Sequence, residues 1–188
     1  MIYIKDDEFI RGDSPMTKEE IRILSISKMN INENSRILDI GSGTGSISIQ
    51  LAKISKNGEV IAIEKEQKAI DLINKNKEKF EANNLEVVKG EALEVYDHID
   101  GEFNAIFIGG SGGNIEEIIR NYHNKISTKG RMVLNFITIN NLYKALETLK
   151  KMDYKPEFIE VSISRSFKNT YMLKANNPIF IVWGEKNI

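Results

Sequence analysis

A ten-residue run, residues 37–46, constrains the fold of this chain more than any other part of the sequence. It reads Ile-Leu-Asp-Ile-Gly-Ser-Gly-Thr-Gly-Ser, an apolar strand followed by glycines at three alternate positions and then by the start of a helix. Glycine tolerates positive φ and lets the backbone come within contact distance of a ligand. The run therefore predicts the strand–turn–helix unit with which α/β sheets bind nucleosides. Asp39, at the carboxyl edge of the strand, can accept a hydrogen bond from an ammonium or hydroxyl group.

The spacing of the glycines distinguishes two kinds of nucleoside ligand. A dinucleotide site has the pattern G-x-G-x-x-G, whereas here Gly41, Gly43 and Gly45 alternate and Ser46 follows. A carboxylate beside a diphosphate would also repel it, so Asp39 disfavours NAD. S-adenosylmethionine (AdoMet) carries a cationic amino-acid tail that Asp39 can hold directly or through water. The turn thus favours AdoMet over NAD, with a purely structural glycine turn as the alternative.

Two further positions are candidates for contacts with the nucleoside. Glu64 closes the next predicted strand, 19 residues after Gly45, where a carboxylate can accept both ribose hydroxyls. Glu66 is a competing candidate, although we expect it to open the following helix. Ala92, after the third predicted strand, is expected to contact adenine through its main chain, and an ordinary polar turn is the alternative there.

The order of predicted elements defines the fold class. Strand-like and helix-like segments alternate along the chain, which indicates an α/β, Rossmann-like sheet of seven mostly parallel strands with helices on both faces. The last two strands have no helix between them, so one strand is expected to be antiparallel. No linker or repeat interrupts residues 1–188, which we interpret as one domain. Its segment of about residues 1–30 is expected to cap the ligand site, with Thr17 and Glu20 forming a capping box at the start of a helix.

A glycine-rich loop follows the fourth predicted strand. It comprises Gly109, Gly110, Ser111, Gly112 and Gly113 and leads into a helix. Acceptor chemistry takes place at this edge of such sheets, and an open loop at a helix N-terminus suits an acceptor that carries carboxylates. A flexible connection is the alternative.

Two arginines are candidates for binding an anionic acceptor. Arg11 can pair bidentately with a carboxylate, or else form an ion pair with Glu8 or Asp13. Arg165 lies near the last two strands and can bind the acceptor, or be an ordinary surface charge. No general acid or base can be named from the sequence.

Composition excludes several classes of function. The formal net charge is −1, which gives no electrostatic case for a nucleic-acid partner. The absence of cysteine excludes disulfides and thiolate catalysis, and two isolated histidines leave little for a metal site, so we expect none. No apolar run approaches the length needed to span a membrane, and the first residues do not form a signal peptide. We therefore expect a cytoplasmic protein.

Three stretches together resemble one family, the decarboxylating cobalt-precorrin methyltransferases. They are the leader Glu-Phe-Ile-Arg-Gly at 8–12 with Pro-Met-Thr-Lys-Glu-Glu at 15–20, the turn at 39–46, and Phe-Ile-Gly-Gly-Ser-Gly-Gly at 107–113. The resemblance covers nearly the whole chain. It implies a class I AdoMet-dependent methyltransferase that methylates carbon 15 of cobalt-precorrin-6B, with loss of the acetate arm on carbon 12 as CO2, in anaerobic cobalamin synthesis.

The same resemblance implies site residues and a state of assembly. The cofactor contacts that it implies are Thr17, the turn Gly41, Ser42, Gly43, Thr44 and Gly45, then Glu64 and Ala92. It also implies a tetrapyrrole substrate and a homo-oligomer, a tetramer especially. The rival hypotheses are an AdoMet-dependent RNA or protein methyltransferase, a nicotinamide oxidoreductase, and a module that binds AdoMet without catalysis.

Overall fold

The protein forms a single seven-stranded sheet with helices on both faces and a small second sheet beside it. The computed structural model describes residues 3–13, 15–109, 113–166 and 170–187, and the statements below concern these residues. The α-helices are α1 (Glu19–Ser27), α2 (Ser46–Ile54), α3 (Gln67–Lys79), α4 (Ile115–Tyr122) and α5 (Ile139–Lys151). The strands are β1 (Arg36–Ile40), β2 (Glu59–Glu64), β3 (Leu85–Lys89), β4 (Phe103–Ile108), β5 (Ile126–Phe136), β6 (Glu157–Val161), β7 (Ser164–Ser166), β8 (Leu173–Ala175) and β9 (Ile179–Glu185).

The strand order confirms the predicted fold class. The order across the large sheet is β3-β2-β1-β4-β5-β9-β6. The pairs among β1 to β5 are parallel, and β9 runs antiparallel to both of its neighbours. The chain reverses direction across the sheet between β3 and β4, which places a topological switch at the carboxyl ends of β1 and β4. In open α/β sheets ligands bind in the crevice at such a point.

Two hydrophobic cores, one on each face of the sheet, fix the helices in place. Helices α1, α2 and α3 cover one face, with Ile26, Ile49 and Ile73 in that core. Helices α4 and α5 cover the other face, and Ile118 and Leu149 belong to its core. Because both faces are covered, the central strands β1, β2 and β4 are largely apolar, as parallel strands in α/β proteins are.

The N-terminal segment is attached to the domain through a buried arginine. The guanidinium of Arg22, on α1, is fully buried and lies 3.2 Å from the Asp6 carboxylate. It also donates to the carbonyl oxygens of Ile4 and, at 2.9 Å, Thr17. A buried charge is tolerated only when it is paired and hydrogen-bonded, so these contacts fasten residues 4–17 to α1.

Some local predictions were wrong. The capping box does not form, because α1 begins at Glu19, Lys18 is its N-cap residue and no side chain caps it. β6 ends at Val161, and β7 and β8 then form a separate hairpin, which the predicted sheet of seven strands did not include. β5 is also irregular, because Lys129 has a φ of 62° and the pairing with β4 shifts register there.

The β7–β8 hairpin is joined to α1 by ion pairs. Arg165 on β7 forms a bidentate pair with Glu20, and its guanidinium also lies 3.8 Å from Asp6. Within the described ranges, no helix has the length and apolarity to cross a membrane.

Candidate active site

The glycine turn after β1 has the backbone that the sequence predicts. Gly41, Gly43 and Gly45 have φ angles of 72°, 55° and 74°. Gly45 is the N-cap residue of α2, and a Cβ atom there would lie 2.9 Å from Cγ1 of Ile73. Both the left-handed conformation and the close packing therefore require glycine at this position.

Glu64 lies against this turn and holds it. One carboxylate oxygen accepts from the Gly43 amide at 2.7 Å, and the other accepts from the amides of Lys65 at 2.8 Å and Glu66 at 3.0 Å. The spacing between turn and strand end thus does bring the carboxylate to the glycines. Three of the roughly four lone-pair sites of the carboxylate are thus used, which leaves Oε2 able to accept one further hydrogen bond.

Asp39 is a buried carboxylate with an incomplete set of hydrogen bonds. Its Oδ2 accepts from the Ser48 hydroxyl, whereas its buried Oδ1 has no partner within the described part of the chain. Burial raises the pKa of Asp39 from 3.8 to about 7; the Ser48 hydrogen bond opposes this shift and the nearby charge of Glu64 adds to it. An unpartnered carboxylate oxygen in a cavity wall is a site for a cationic or hydroxyl ligand group.

A cavity of about 660 Å³ opens over the turn, within the range of small-molecule sites. Its walls combine the turn at 41–44, the leader at 15–18, the end of β5 and the base of the β7–β8 hairpin. Asp39 and Lys18 are the only charged residues in the part of this lining that the structure describes, and most of the remaining wall is apolar. The cavity can therefore enclose a molecule with extensive apolar surface next to the glycine turn.

Three strand ends form a row across the floor of this cavity. Ile40 is in register with Ile108, and Ile108 with Leu134. The following residues, Gly41, Gly109 and Asn135, therefore lie side by side, and all three line the cavity. The Gly109 amide donates to the Ile40 carbonyl at 2.9 Å, which continues the pairing of β1 and β4 up to this row.

The structure brings some of the predicted site residues together and leaves others apart. Thr17, Asp39, Gly41, Ser42, Gly43, Thr44 and Gly109 line the cavity. Gly45 starts the adjoining helix, and Glu64 binds the turn from behind. Ala92 is buried beside the sheet, where its carbonyl oxygen accepts from the Tyr122 hydroxyl at 2.6 Å. Gly110, Ser111 and Gly112 lie outside the described residues, and the exposed Gly113 does not line the cavity.

Neither predicted arginine reaches the cavity. The Arg11 guanidinium donates to the carbonyl oxygen of Asp6 at 2.8 Å, and Arg11 lines a separate depression beside α3. The predicted alternative partners, Glu8 and Asp13, are not what it contacts. Arg165 is held by Glu20, as described above. Both placements depend on tertiary contacts, so the residue type alone could not indicate them.

Two cavity residues were missed by the sequence reasoning. Lys18 lies in the cavity wall, but the sequence pattern at this point indicated only a helix cap at its neighbour Thr17. Asn135 is a polar residue in the otherwise apolar stretch 132–136 at the end of β5, and that position was its only signal. Its role depends on the register between β4 and β5, which the sequence does not specify.

The sheet order, the glycine turn and the carboxylates at the ends of β1 and β2 define a class I AdoMet-dependent methyltransferase fold. A family profile described as "Precorrin methyltransferase domain" matches residues 8–183. A relative from Sulfurisphaera tokodaii, named "Probable cobalt-precorrin-6B C(15)-methyltransferase (decarboxylating)", is 46% identical over 187 residues, which are 97% of each chain.

Two further comparisons agree with this match. The cobalt-precorrin-6B C(15)-methyltransferase (decarboxylating) of Salmonella typhimurium is 34% identical over 97% of this chain and 96% of its own. The crystal structure of precorrin-6y C5,15-methyltransferase from Geobacter metallireducens superposes with a TM-score of 0.92 at 34% identity, covering 99% of this chain and 97% of the other. The chain belongs to the precorrin methyltransferase family.

Proposed function

We propose that this protein transfers the methyl group of AdoMet to carbon 15 of cobalt-precorrin-6B and removes the acetate arm on carbon 12 as CO2. The observation that carries the proposal is the full-length similarity to relatives named for this reaction, the nearer of the two at 46% identity. The glycine turn and the adjoining cavity support it, because they provide a nucleoside site and an acceptor space in direct contact.

The residues around the turn suit AdoMet. The ammonium group of the methionine tail would supply the hydrogen-bond donor that Oδ1 of Asp39 lacks, directly or through water. Glu64 would accept a ribose hydroxyl with the remaining lone pair of Oε2. We assign the main chain of Ala92 to the adenine edge and Thr17 to the cofactor side of the leader. AdoMet supplies the electrophilic methyl group when it is bound.

The chain itself contributes position and exclusion of water. Leader residues 15–18 and the base of the hairpin enclose the acceptor space, and the row Gly41–Gly109 brings backbone close to the point where cofactor and acceptor meet. Holding two reactants in contact geometry accelerates a displacement without a general base. We therefore assign the acceptor to the apolar part of the cavity and Gly109 to its contact surface.

We further propose that the protein is a cytoplasmic homo-oligomer, a tetramer especially, and that it acts on this tetrapyrrole and not on a nucleic acid. The formal net charge of −1 supports the second point. Tyr171, Met172 and Leu173, beside the hairpin, expose 104%, 65% and 70% of their surfaces and support self-association.

The test is an anaerobic incubation with AdoMet and cobalt-precorrin-6B, followed by mass spectrometry of the macrocycle. We expect a product that has gained one methyl group and lost one CO2, and no product when S-adenosylhomocysteine replaces AdoMet. Unchanged macrocycle, with AdoMet binding shown separately by calorimetry, would contradict the proposed acceptor, and RNA would then be assayed with the same protein.

A further inference from the structure

We propose that the side-chain amide of Asn135 binds a carboxylate arm of the acceptor, and that the buried Ser25 on α1 holds this amide in position. This inference rests on the proposed function and assigns a recognition residue within the same site. It starts from the register of the sheet, from two hydrogen bonds of Ser25 and from the charge of the cavity wall.

The register places Asn135 on the acceptor side of the site. Gly41 belongs to the nucleoside turn, Gly109 follows β4, and Asn135 is the next position in the row. Adjacent strands lie about 4.8 Å apart, so Asn135 is about 10 Å from the turn across the sheet. A group bound between Gly109 and Asn135 would therefore lie beside a cofactor held at Gly41 without overlapping it.

Hydrogen bonds to Ser25 fix the orientation of the amide. The Asn135 Nδ2 atom donates to Ser25 Oγ at 2.8 Å. Asn135 Oδ1 lies 3.1 Å from the same oxygen, but the hydroxyl has a single hydrogen, and a contact of 2.7 Å to the Ile21 carbonyl satisfies it. Ser25 thus acts as an acceptor for Asn135. The second N–H of the amide makes no further hydrogen bond among the described residues.

The chemistry of the wall favours a carboxylate as the partner of that N–H. Phe136, Ile137 and Ile163 contribute apolar surface to the same cavity, in which a neutral amide donor can bind an anion without a buried cation beside it. The carboxylate in the described lining, Asp39, belongs to the other end of the row. An acceptor with acetate and propionate arms has carboxylates to place at Asn135.

A purely structural role for Asn135, as a link between α1 and β5, predicts a different response to mutation. Asn135→Asp keeps the shape, and the Ser25 hydroxyl can turn its hydrogen from the Ile21 carbonyl to the new carboxylate, so a link would be largely preserved. Binding of an anionic arm would instead meet a like charge. The isosteric change therefore separates the two roles, and Asn135→Ala removes both.

The experiment measures kcat and KM for cobalt-precorrin-6B, and the Kd of AdoMet, in four variants: Asn135→Asp, Asn135→Ala, Ser25→Ala and Ser27→Ala. Ser27 is the matched control, because it lies on the same helix and donates to the Leu24 carbonyl but is exposed. We expect a KM raised about tenfold by Asn135→Ala, more by Asn135→Asp and a few-fold by Ser25→Ala. We expect the AdoMet Kd of all four variants, and the KM of Ser27→Ala, to stay within twofold of wild type.

A wild-type KM in Asn135→Asp would overturn the inference and leave Asn135 as a structural link. So would an equal loss of AdoMet affinity, which would place the residue in the cofactor half. If the wild-type protein does not convert cobalt-precorrin-6B at all, the proposed function fails instead. Absorbance titration of the macrocycle against wild type and Asn135→Asp then decides separately whether the amide binds it. Thermal melting of each variant excludes misfolding as the cause.

Discussion

Asp39 combines burial with an unpartnered oxygen, and this combination makes the folded protein sensitive to pH. In the unfolded chain the carboxyl group titrates near 3.8, whereas burial raises its pKa to about 7 in the folded state. The folded protein therefore binds one more proton than the unfolded chain between these values. The stability contributed by this group is fully present below pH 4 and is lost as the pH rises through 7.

The first prediction follows from that sign. We expect the free energy of unfolding of the ligand-free wild-type protein to fall between pH 5 and pH 8, with a limiting slope of about 1.4 kcal/mol per pH unit. The substitution Asp39→Asn should remove this contribution. Urea denaturation at both pH values measures it. Asp71→Asn, which changes an exposed carboxylate on α3, is the control and should keep the wild-type dependence. Equal pH dependence in Asp39→Asn and wild type would show that Asp39 is already ionised in the folded protein.

A second prediction concerns the cation that meets the acceptor. Lys18 lies partly buried in the cavity wall and forms no ion pair within the described ranges. Arg11, in contrast, lies outside the cavity. We expect Lys18→Gln to raise the KM of the macrocycle about tenfold and to weaken the dependence of KM on salt, because the lost interaction is electrostatic. Arg11→Gln should leave both unchanged. Steady-state kinetics at two ionic strengths decides between them, and the reverse result would restore Arg11 as the anchor.

At the scale of elements, the link between the β7–β8 hairpin and α1 yields a third prediction. Arg165 and Glu20 are both partly exposed, so each single change should cost less than about 1 kcal/mol of stability. Because the base of the hairpin forms a cavity wall, we expect Arg165→Gln and Glu20→Gln to raise the macrocycle KM by similar factors, with little further effect when combined. A double-mutant cycle on KM tests this.

The exposed pair Glu147–Lys150 on α5 provides the control for that cycle, since it lies within one helix and away from the cavity. Glu147→Gln should change neither KM nor AdoMet binding. A rise in KM for Arg165→Gln alone, with Glu20→Gln unaffected, would mean that the guanidinium touches the acceptor itself, as the sequence first suggested.

Sequence information was sufficient for elements whose signals are local. The turn at Gly41–Gly45 follows from φ requirements within five residues, and the seven strands follow from runs of apolar side chains. The capping box predicted for Thr17 and Glu20 does not form, and the Glu20 carboxylate instead pairs with Arg165, 145 residues away in the chain. The ion pairs that a charged side chain forms depend on the tertiary structure, which the periodicity of apolar residues does not encode.

The same distinction holds for the site. Asp39 and the glycines were identifiable because chain order alone puts them at one strand end. Asn135 was not, since its place beside Gly109 depends on the pairing of β4 with β5, two strands separated by a helix. Its hydrogen bond to Ser25 spans 110 positions of the sequence. Residues of this kind become visible only when the strands are aligned in space.

For the whole molecule, the fourth prediction concerns assembly. The exposed side chains of Tyr171, Met172 and Leu173 form an apolar patch that self-association would bury. We expect the wild-type protein to elute as an oligomer in size-exclusion chromatography with light scattering, and Tyr171→Ser with Leu173→Ser to yield a smaller species. Phe158→Ser, on the edge strand β6, is the comparison. If Phe158→Ser alone dissociates the oligomer, the contact between subunits lies along the sheet edge. If the wild-type protein elutes as a monomer, the proposed assembly is excluded.

The buried guanidinium of Arg22 has a consequence for where this chain can be shortened. The family profile begins at residue 8, yet two of the groups that neutralise or bind Arg22, Asp6 and the carbonyl of Ile4, precede that boundary. Removing residues 1–7 would leave the buried guanidinium of Arg22 without the Asp6 carboxylate. Loss of one partner of a buried ion pair typically costs about 3–5 kcal/mol of stability. The span that the family profile matches is therefore shorter than the part of the chain that is needed to neutralise Arg22.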